Sequence, residues 1–398
     1  MKSATTTAPI ITLAALAAIA PFAVDAYLPA MPAMAEGLNT NIHQIELSLS
    51  LFLAGFAIGQ LIGGPFSDHF GRRYSIFIGL ALFALGTIGI IFSTDAHSLW
   101  LFRIIEALGA GLTVVNPPAI IRDLSEGQNS ARNLAHVAVV MMLAPLIAPM
   151  LGMGILQIGP WQGVFVFLLL YCFALAIITY IRLPETRVRH EQVTTLWQRY
   201  RQVLSNRPAL GFIAAQSFSY GGMFAFIAAS PLVYMSYFGV SQQLYPFLFG
   251  SNVVALVVLN RLNVWLLYKY LSSKLLRFGQ AIQILVGVTL LAYIWLATTP
   301  SLVVTVVLVI VFIGNQSFVS SNATACTIEF FPRNSGTAAA LLGACSFMAG
   351  ALAAGLVGLL GDGTPLPMAA VMCGSAILGL ISRLWLQRGY STIAADVS

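Results

Sequence analysis

Charge is the scarcest property of this 398-residue chain: 8% of residues are Asp, Glu, Lys or Arg, against 59% hydrophobic. A soluble domain carries about a quarter charged residues, so a soluble fold is excluded. Cysteines are few. Cys172, Cys326, Cys345 and Cys373 all lie in apolar runs, and none forms a close Cys pair or a Cys/His cluster. Neither a disulfide framework nor a metal site is implied. No G-x-x-x-x-G-K-[ST] loop is present, so ATP is not the evident energy source. His43, His69, His97, His136 and His190 fall in loops or at the ends of apolar runs, and none reads as a proton relay inside a membrane. The net charge of +6 does not point to nucleic acid either, because of where the basic residues stand.

What the chain has is apolar runs of about twenty residues, long enough to cross a bilayer as helices and too long for alternating barrel strands. Twelve can be laid down: 9–31, 42–63, 74–93, 98–121, 134–156, 162–182, 209–234, 244–267, 275–298, 301–325, 336–360 and 366–385. The first continues into a carboxylate and favours an uncleaved span over a cleaved signal peptide. Lys2, Arg72, Arg73, Arg122, Arg132, the arginines from Arg182 to Arg207, the group Arg261 to Arg277, Arg333, Arg383 and Arg388 all fall on one side of this layout. The opposite loops hold Glu36, Asp95 and Asp362 and no Lys or Arg. The positive-inside rule therefore places both termini in the cytoplasm. Arg103 is the exception, inside the fourth run.

Residues 183–207 form the longest polar stretch, with Trp197 and Tyr200 among its basic residues. It reads as an amphipathic cytoplasmic linker, a tether rather than a regulatory site. It divides the chain into residues 1–182 and 208–398. The expected fold is an all-α membrane protein of twelve transmembrane helices in two six-helix bundles, the two-half layout of many transporters.

Asp25 is the one charge inside the first run. A carboxylate at membrane depth costs a few kcal/mol unless it is protonated, paired or facing water. Each of those states suits a proton carrier; the plainer reading is a helix-end carboxylate reaching the outer interface. At about 1.5 Å rise per residue, Asp25 and Arg103 lie at similar depth, and the two are expected to pair directly or through water. Glu106 shares Arg103's helix face and competes for the guanidinium. Glu46 is a third acid at comparable depth, for which interfacial exposure is the simpler expectation. These four are the candidate proton-coupling residues. The second half has no acid in the membrane interior. It offers Gln216, Tyr220, Phe224, Asn252, Asn315 and Gln316; Tyr27 and Asn116 join them from the first half as candidate substrate contacts. Amides with aromatics suit a neutral or amphipathic ligand. For any one of them, an ordinary interhelical hydrogen bond stands beside that reading.

Between the second and third runs stands Gly64-Pro65-Phe66-Ser67-Asp68-His69-Phe70-Gly71-Arg72-Arg73, a glycine-rich segment with an acid and paired arginines. It resembles the signature loop of the major facilitator superfamily, G-x-L-S-D-R-x-G-R-R, with Phe66 for Leu and His69 for Arg. Leu101 to Gly111, which contains Arg103, is similar to the family's fourth-span motif. Ala144 to Gly152 is partly similar to the fifth-span motif of its antiporters. Asp25-Ala26-Tyr27-Leu28-Pro29-Ala30-Met31-Pro32 resembles the first-span signature of the bicyclomycin/chloramphenicol-resistance (Bcr/CflA) branch, and Arg122-Asp123 and Leu183-Pro184-Glu185-Thr186 fit it too.

This resemblance implies a transporter rather than an enzyme. It implies proton-driven export of small organic molecules, including antibiotics, by drug:proton antiport, with no cofactor beyond the proton gradient. Gly64, Asp68, Gly71, Arg72, Arg73, Arg122 and Asp123 would then form a conformational latch at the cytoplasmic face. The partners expected are a neutral or amphipathic small molecule, protons and the lipid bilayer, with no nucleic acid. The chain would act as a monomer in the bacterial cytoplasmic (inner) membrane. A proton-coupled metabolite or nutrient transporter of the same fold remains the alternative. A sensing protein with no transport cycle is a further one.

The topology is directly testable. Reporter fusions at Gln192 and Ser398 are expected to signal the cytoplasm; a periplasmic signal at either would overturn the span assignment.

Overall fold

The computed structural model describes residues 7–125, 127–186, 196–331 and 334–388. The expectations on Lys2, Arg187, Arg189, His190, Arg333 and the two chain ends lie outside these residues. Every regular element among the described residues is helical. Twelve helices are long and apolar enough to span a membrane: Ile10–Gly37 (span 1), Ile42–Phe70 (2), Arg72–Ile91 (3), Ala96–Leu124 (4), Arg132–Leu156 (5), Gln162–Arg182 (6), Arg207–Tyr237 (7), Tyr245–Leu266 (8), Ser272–Leu296 (9), Leu302–Glu329 (10), Ser335–Leu360 (11) and Leu366–Leu386 (12). All twelve expected runs are present. Span 2 runs farther than its apolar stretch. Gly64 and Pro65, expected between the second and third runs, lie inside this helix, and a side chain at Gly64 would meet only open space. The chain turns instead at Gly71, whose φ of 111° suits glycine.

Four spans are broken, and they hold corresponding places in the two halves. Span 1 ends its first helix at Asp25, passes through a 3-10 turn at Leu28–Ala30, and resumes at Met31–Gly37. Pro29 and Pro32, which lack backbone donors, fall in this break. Span 7 gives way after Pro231 to a π-helical turn at Leu232–Tyr237. Span 4 is interrupted at Val115, with Pro117 and Pro118 in the first turn of the second piece. Span 10 does the same at Asn315 with no proline to enforce it.

Spans 1 to 6 pack on one another, as do spans 7 to 12; the halves meet where span 2 lies along span 11 and span 5 lies along span 8. Without a hydrophobic drive inside lipid, close helix contact relies on small residues. Gly55, Gly59 and Gly63 form a stripe on span 2 that lets span 4 approach: a Cβ at Gly59 would lie 2.7 Å from the Leu108 carbonyl oxygen. On span 5, Gly152 rests against the carbonyl of Ala26, inside the break of span 1. The linker helix Leu196–Leu204 buries Val203 among Leu341 and Leu342 of span 11, with Leu61 of span 2 packed on the same cluster. At the opposite end Asp95 caps span 4. The backbone N–H groups of Ser98 and His97 donate to its carboxylate and hold it below the usual range.

The glycine stripe yields a stability prediction. Gly59→Val places three carbons where span 4 leaves no room, so the purified protein should lose about 1–3 kcal/mol, the usual cost of overpacking. An unfolding temperature in detergent equal to the wild type would show that spans 2 and 4 are not in close contact.

Candidate functional site: a central cavity with one carboxyl group

The break in span 1 sets the position of Asp25. As the last residue of the first helix, it lines a cavity of about 370 Å³ between the two halves. The cavity reaches from Asp25 toward the basic end as far as Gln60, Asn260 and Ser321. Its wall is mostly Phe, Met and branched aliphatics, and Asp25 is the one charged-type side chain among the lining residues. Asp25 is 3% exposed and its Oδ1 has no hydrogen-bond partner.

Arg103 is fully buried but faces elsewhere. Its Nη1 donates to Glu106 Oε2 at 2.8 Å and to the carbonyl of Ala23 at 3.2 Å. Thr87 Oγ1 donates to the other carboxylate oxygen at 3.0 Å. The guanidinium lies 4.3 Å from the ring centroid of Tyr27 and 4.4 Å from that of Phe52. Aromatic faces and a carboxylate together replace the water this cation lacks. The expected direct pair between Arg103 and Asp25 does not form. Arg103 takes its neighbour one turn along its own helix, and span 1 supplies a carbonyl instead. Glu46 corrects a second expectation. It is not exposed at an interface but buried to 1%, 3.0 Å from His43 Nδ1.

Of the eight candidate substrate contacts, Tyr220, Phe224, Asn252 and Gln316 line the cavity. Tyr27 is spent beneath Arg103. Asn116 lies outside the cavity wall, in a buried network: Ser67 Oγ donates to its Oδ1 at 2.6 Å, and its Nδ2 donates to the Leu112 carbonyl at 2.7 Å. Gln216 accepts from Thr324 at 2.9 Å, and Asn315 donates to the Val311 carbonyl at 2.8 Å. These three hold helices rather than line the cavity. The sequence reading missed the aromatic box that spans the halves. Phe56 packs edge-on to Phe347 at 4.6 Å between centroids, and Phe224 and Tyr220 reach the same ring at 5.7 and 6.0 Å.

At the basic end, Arg72 joins Asp68 at 2.5 Å and Asp123 at 3.0 Å. Glu185 accepts from the backbone N–H groups of Arg72 and Arg73, at 3.0 and 3.1 Å, and Arg73 Nη2 donates to the Tyr180 carbonyl. Gly71 must be bare here, since a Cβ would meet the Glu185 carboxylate at 2.7 Å. The cluster ties spans 2, 3 and 4 to the segment after span 6. Gly64 takes no part. Arg122 bonds the Pro118 carbonyl and lies against Gly336 of span 11, the one member reaching the other half. A second buried arginine escaped the sequence reading: Arg383, 5% exposed within span 12, donates to Gln280 Oε1 at 2.6 Å.

Two bundles meeting over a central cavity, with broken first and fourth spans in each half, define a transporter of small molecules. Residues 13–355 match the sequence profile of the Major Facilitator Superfamily, and the chain belongs to that family. Within it the chain belongs to the Bcr/CflA branch. It is 30% identical over 383 residues, 95% of both chains, to the bicyclomycin resistance protein homolog of Haemophilus influenzae. It is 31% identical to the chloramphenicol resistance protein of Pseudomonas aeruginosa, over 69% of this chain and 65% of that one. It is 24% identical to the multidrug resistance protein MdtL of Escherichia fergusonii, over 96% of both. The xylose transporter XylE from E. coli superposes with a TM-score of 0.75 over the whole of both chains at 13% identity. A bacterial homolog of the human lysosomal transporter Spinster gives 0.76 at 14% identity, over 100% of this chain and 99% of that one. These two likenesses concern the fold. The protein is a multi-pass inner-membrane transporter and not an enzyme.

The buried pair predicts non-additive mutations. Arg103→Met or Glu106→Leu alone leaves a charge or its partners uncompensated and should cost about 3–5 kcal/mol of stability. The double variant Arg103→Met/Glu106→Leu should cost less than the sum. Thermal unfolding of the three variants in detergent checks this, and strict additivity would show that the two groups act independently.

Proposed function

We propose that this protein exports small, uncharged or amphipathic organic molecules, antibiotics among them, in exchange for protons. One observation carries the reading: a single carboxyl group, without a salt-bridge partner, set in the apolar wall of the cavity between the halves. The relatives' names, bicyclomycin resistance, chloramphenicol resistance and multidrug resistance, support the substrate class and the outward direction. In the outward-facing state Asp25 takes a proton from outside. In the inward-facing state it releases that proton, and the charged carboxylate favours substrate entry from the cytoplasm. Proton and substrate exclude one another at the same wall. One elementary charge crossing 100 mV supplies about 2.3 kcal/mol, roughly fiftyfold in substrate gradient.

The other candidate residues take supporting roles. Arg103 and Glu106 position Asp25: the bond from Arg103 to the Ala23 carbonyl holds span 1 two residues before the carboxyl. Glu46 and His43 belong to the end away from the basic cluster, on the proton's side of the membrane. Residues 1–182 and 208–398 rock as two bodies about the contact of span 2 with span 11, joined by the 183–207 linker. The cluster of Asp68, Gly71, Arg72, Arg73 and Asp123 keeps the basic end of the first body rigid, and Arg122 reaches the second. The basic end faces the cytoplasm, both termini lie there, and the chain works as a monomer.

Asp25→Asn tests the proposal. The variant should fold and insert, since the substitution keeps size and removes only the titration. Export from proteoliposomes driven by an imposed pH gradient should fall to the level of empty vesicles. Near wild-type export would make Asp25 structural. Counterflow under a defined gradient separates export from uptake on the same fold.

A further inference from the structure

The loops at the end opposite the basic cluster hold no Lys or Arg, and Glu36, Glu46, Asp95 and Asp362 make that end acidic. Positive charge there must come from a histidine, and two are present. His97 is 84% exposed and lies 3.8 Å from Asp95, within the first half. His43 is placed differently. It stands in the first turn of span 2, with its side chain 25% exposed. Its Nδ1 lies 3.0 Å from Glu46 Oε2, one turn along the same helix. The ring also rests on the second half: a Cβ at Gly361, where span 11 ends, would collide with its Cε1 and Nδ1. The next residue is Asp362, whose carboxylate acts on the imidazole across this contact. The backbone N–H and the hydroxyl of Thr364 hold that carboxylate in its turn, at 2.8 and 2.7 Å. Glu46 and Asp362 are thus the charged groups that face His43. From span 4, Trp100 donates to the Gln44 carbonyl at 2.8 Å and brings no charge.

The seam below His43 is uncharged. Leu47 lies 3.3 Å from where a Cβ on Gly358 would stand, and Ser50 donates to the Ala351 carbonyl at 2.7 Å. Those contacts are indifferent to pH; the one at His43 is not. A neutral imidazole donates a single N–H to Glu46 and offers Asp362 no charge. An imidazolium attracts both carboxylates, and it forms in the pH range where cells meet acid. The attraction to Glu46 lies within the first half and persists however the halves move. The attraction to Asp362 crosses the seam and exists only while the halves touch there. We propose that His43 is a second proton site, separate from Asp25, whose protonation from outside holds the outer ends of spans 2 and 11 together. The inference rests on the export reading for the rocking of the two halves and adds a regulator to it. Acid outside then favours return to the inward-facing state once Asp25 has loaded, and a neutral exterior lets the seam open. The coupling is reciprocal: a seam that closes more readily around a charged His43 also binds that proton more tightly.

The test uses full-length protein in lipid nanodiscs with its four native cysteines replaced by Ala and spin labels carried on Gln157→Cys and Thr299→Cys. Both positions are exposed, one at the outer end of each half. Pulsed EPR reads the ratio of short to long label distances, that is, of closed to open outer seam. The measurement is made in Asp25→Asn, where the cavity carboxyl no longer titrates. From pH 8 to pH 5.5 the ratio is expected to rise about three- to fivefold, the value of one partly exposed ion pair, and to rise less in 1 M salt. Adding His43→Gln keeps a polar side chain without the titration, and the ratio should become flat with pH. Adding Asp362→Asn instead keeps the bonds from Thr364 and leaves His43 titratable, but removes the charge across the seam; the rise should shrink to less than about twofold. A ratio that does not change with pH in Asp25→Asn overturns the proposal, and so does a rise that either added substitution leaves undiminished. If the bond of His43 to Glu46 were merely structural, His43→Gln would shift the ratio equally at every pH and Asp362→Asn would match its parent, and that pattern overturns it too. The export reading is judged apart from this, by gradient-driven transport in Asp25→Asn, which the label distances do not enter.

Discussion

A guanidinium with no access to water must be answered from within the protein, and the first half of this molecule is arranged around that answer. Arg103 on span 4 draws in Glu106 from its own helix, the Ala23 carbonyl from span 1 and the rings of Tyr27 and Phe52. Thr87 of span 3 completes the set through Glu106. Four spans thus converge on one cation. The arrangement keeps Asp25 out of a salt bridge, because the only buried cation near its depth is already neutralised. A paired Asp25 would be held in its charged form; an unpaired one in an apolar wall can change its charge as water reaches or leaves the cavity.

Much of the fold was legible because the bilayer permits so few solutions. Helices about twenty residues long and a one-sided distribution of arginine specify twelve spans almost without reference to side-chain packing. The breaks were only half legible. Prolines announce those in spans 1 and 4, while span 10 is interrupted at Asn315 without a proline. Asp25 was legible as a lone charge, and Glu106 as Arg103's partner from the spacing of three. The direct pairing of Asp25 with Arg103 failed for a definite reason. Helical rise gives depth along the membrane normal, but whether two groups meet also depends on rotation about each axis, and a break in the helix changes that rotation. The same limit sorted the amides. Asn116, Gln216 and Gln316 look alike in sequence, and only the third lines the cavity. Phe347 carried no signal, since its role comes from span 11 meeting span 2 across the molecule.

The two halves divide the chemistry. Ionisable groups gather in spans 1 to 6: the carboxyl in the cavity, the buried pair, and the cluster that ties Arg72 and Arg73 to Asp68, Asp123 and Glu185. Spans 7 to 12 contribute uncharged amides and hydroxyls, Ser219, Gln283 and Gln316 chief among them, with Arg383 buried near the basic end. On the proposed export reading, a ligand held between them meets the Asp25 carboxyl on one side and uncharged hydrogen-bonding groups on the other.

Gly152 meeting the Ala26 carbonyl has a mechanical consequence. No side chain stands between spans 1 and 5 at that point, so nothing there can flex by changing rotamer. Span 5 also supplies Met141, Met142 and Pro145 to the cavity wall. A ligand that displaces this wall acts on a stiff lever whose other end bears on the residue next to Asp25. At this join the two backbones touch directly, one residue from Asp25, so a shift of either span there must be taken up by the other.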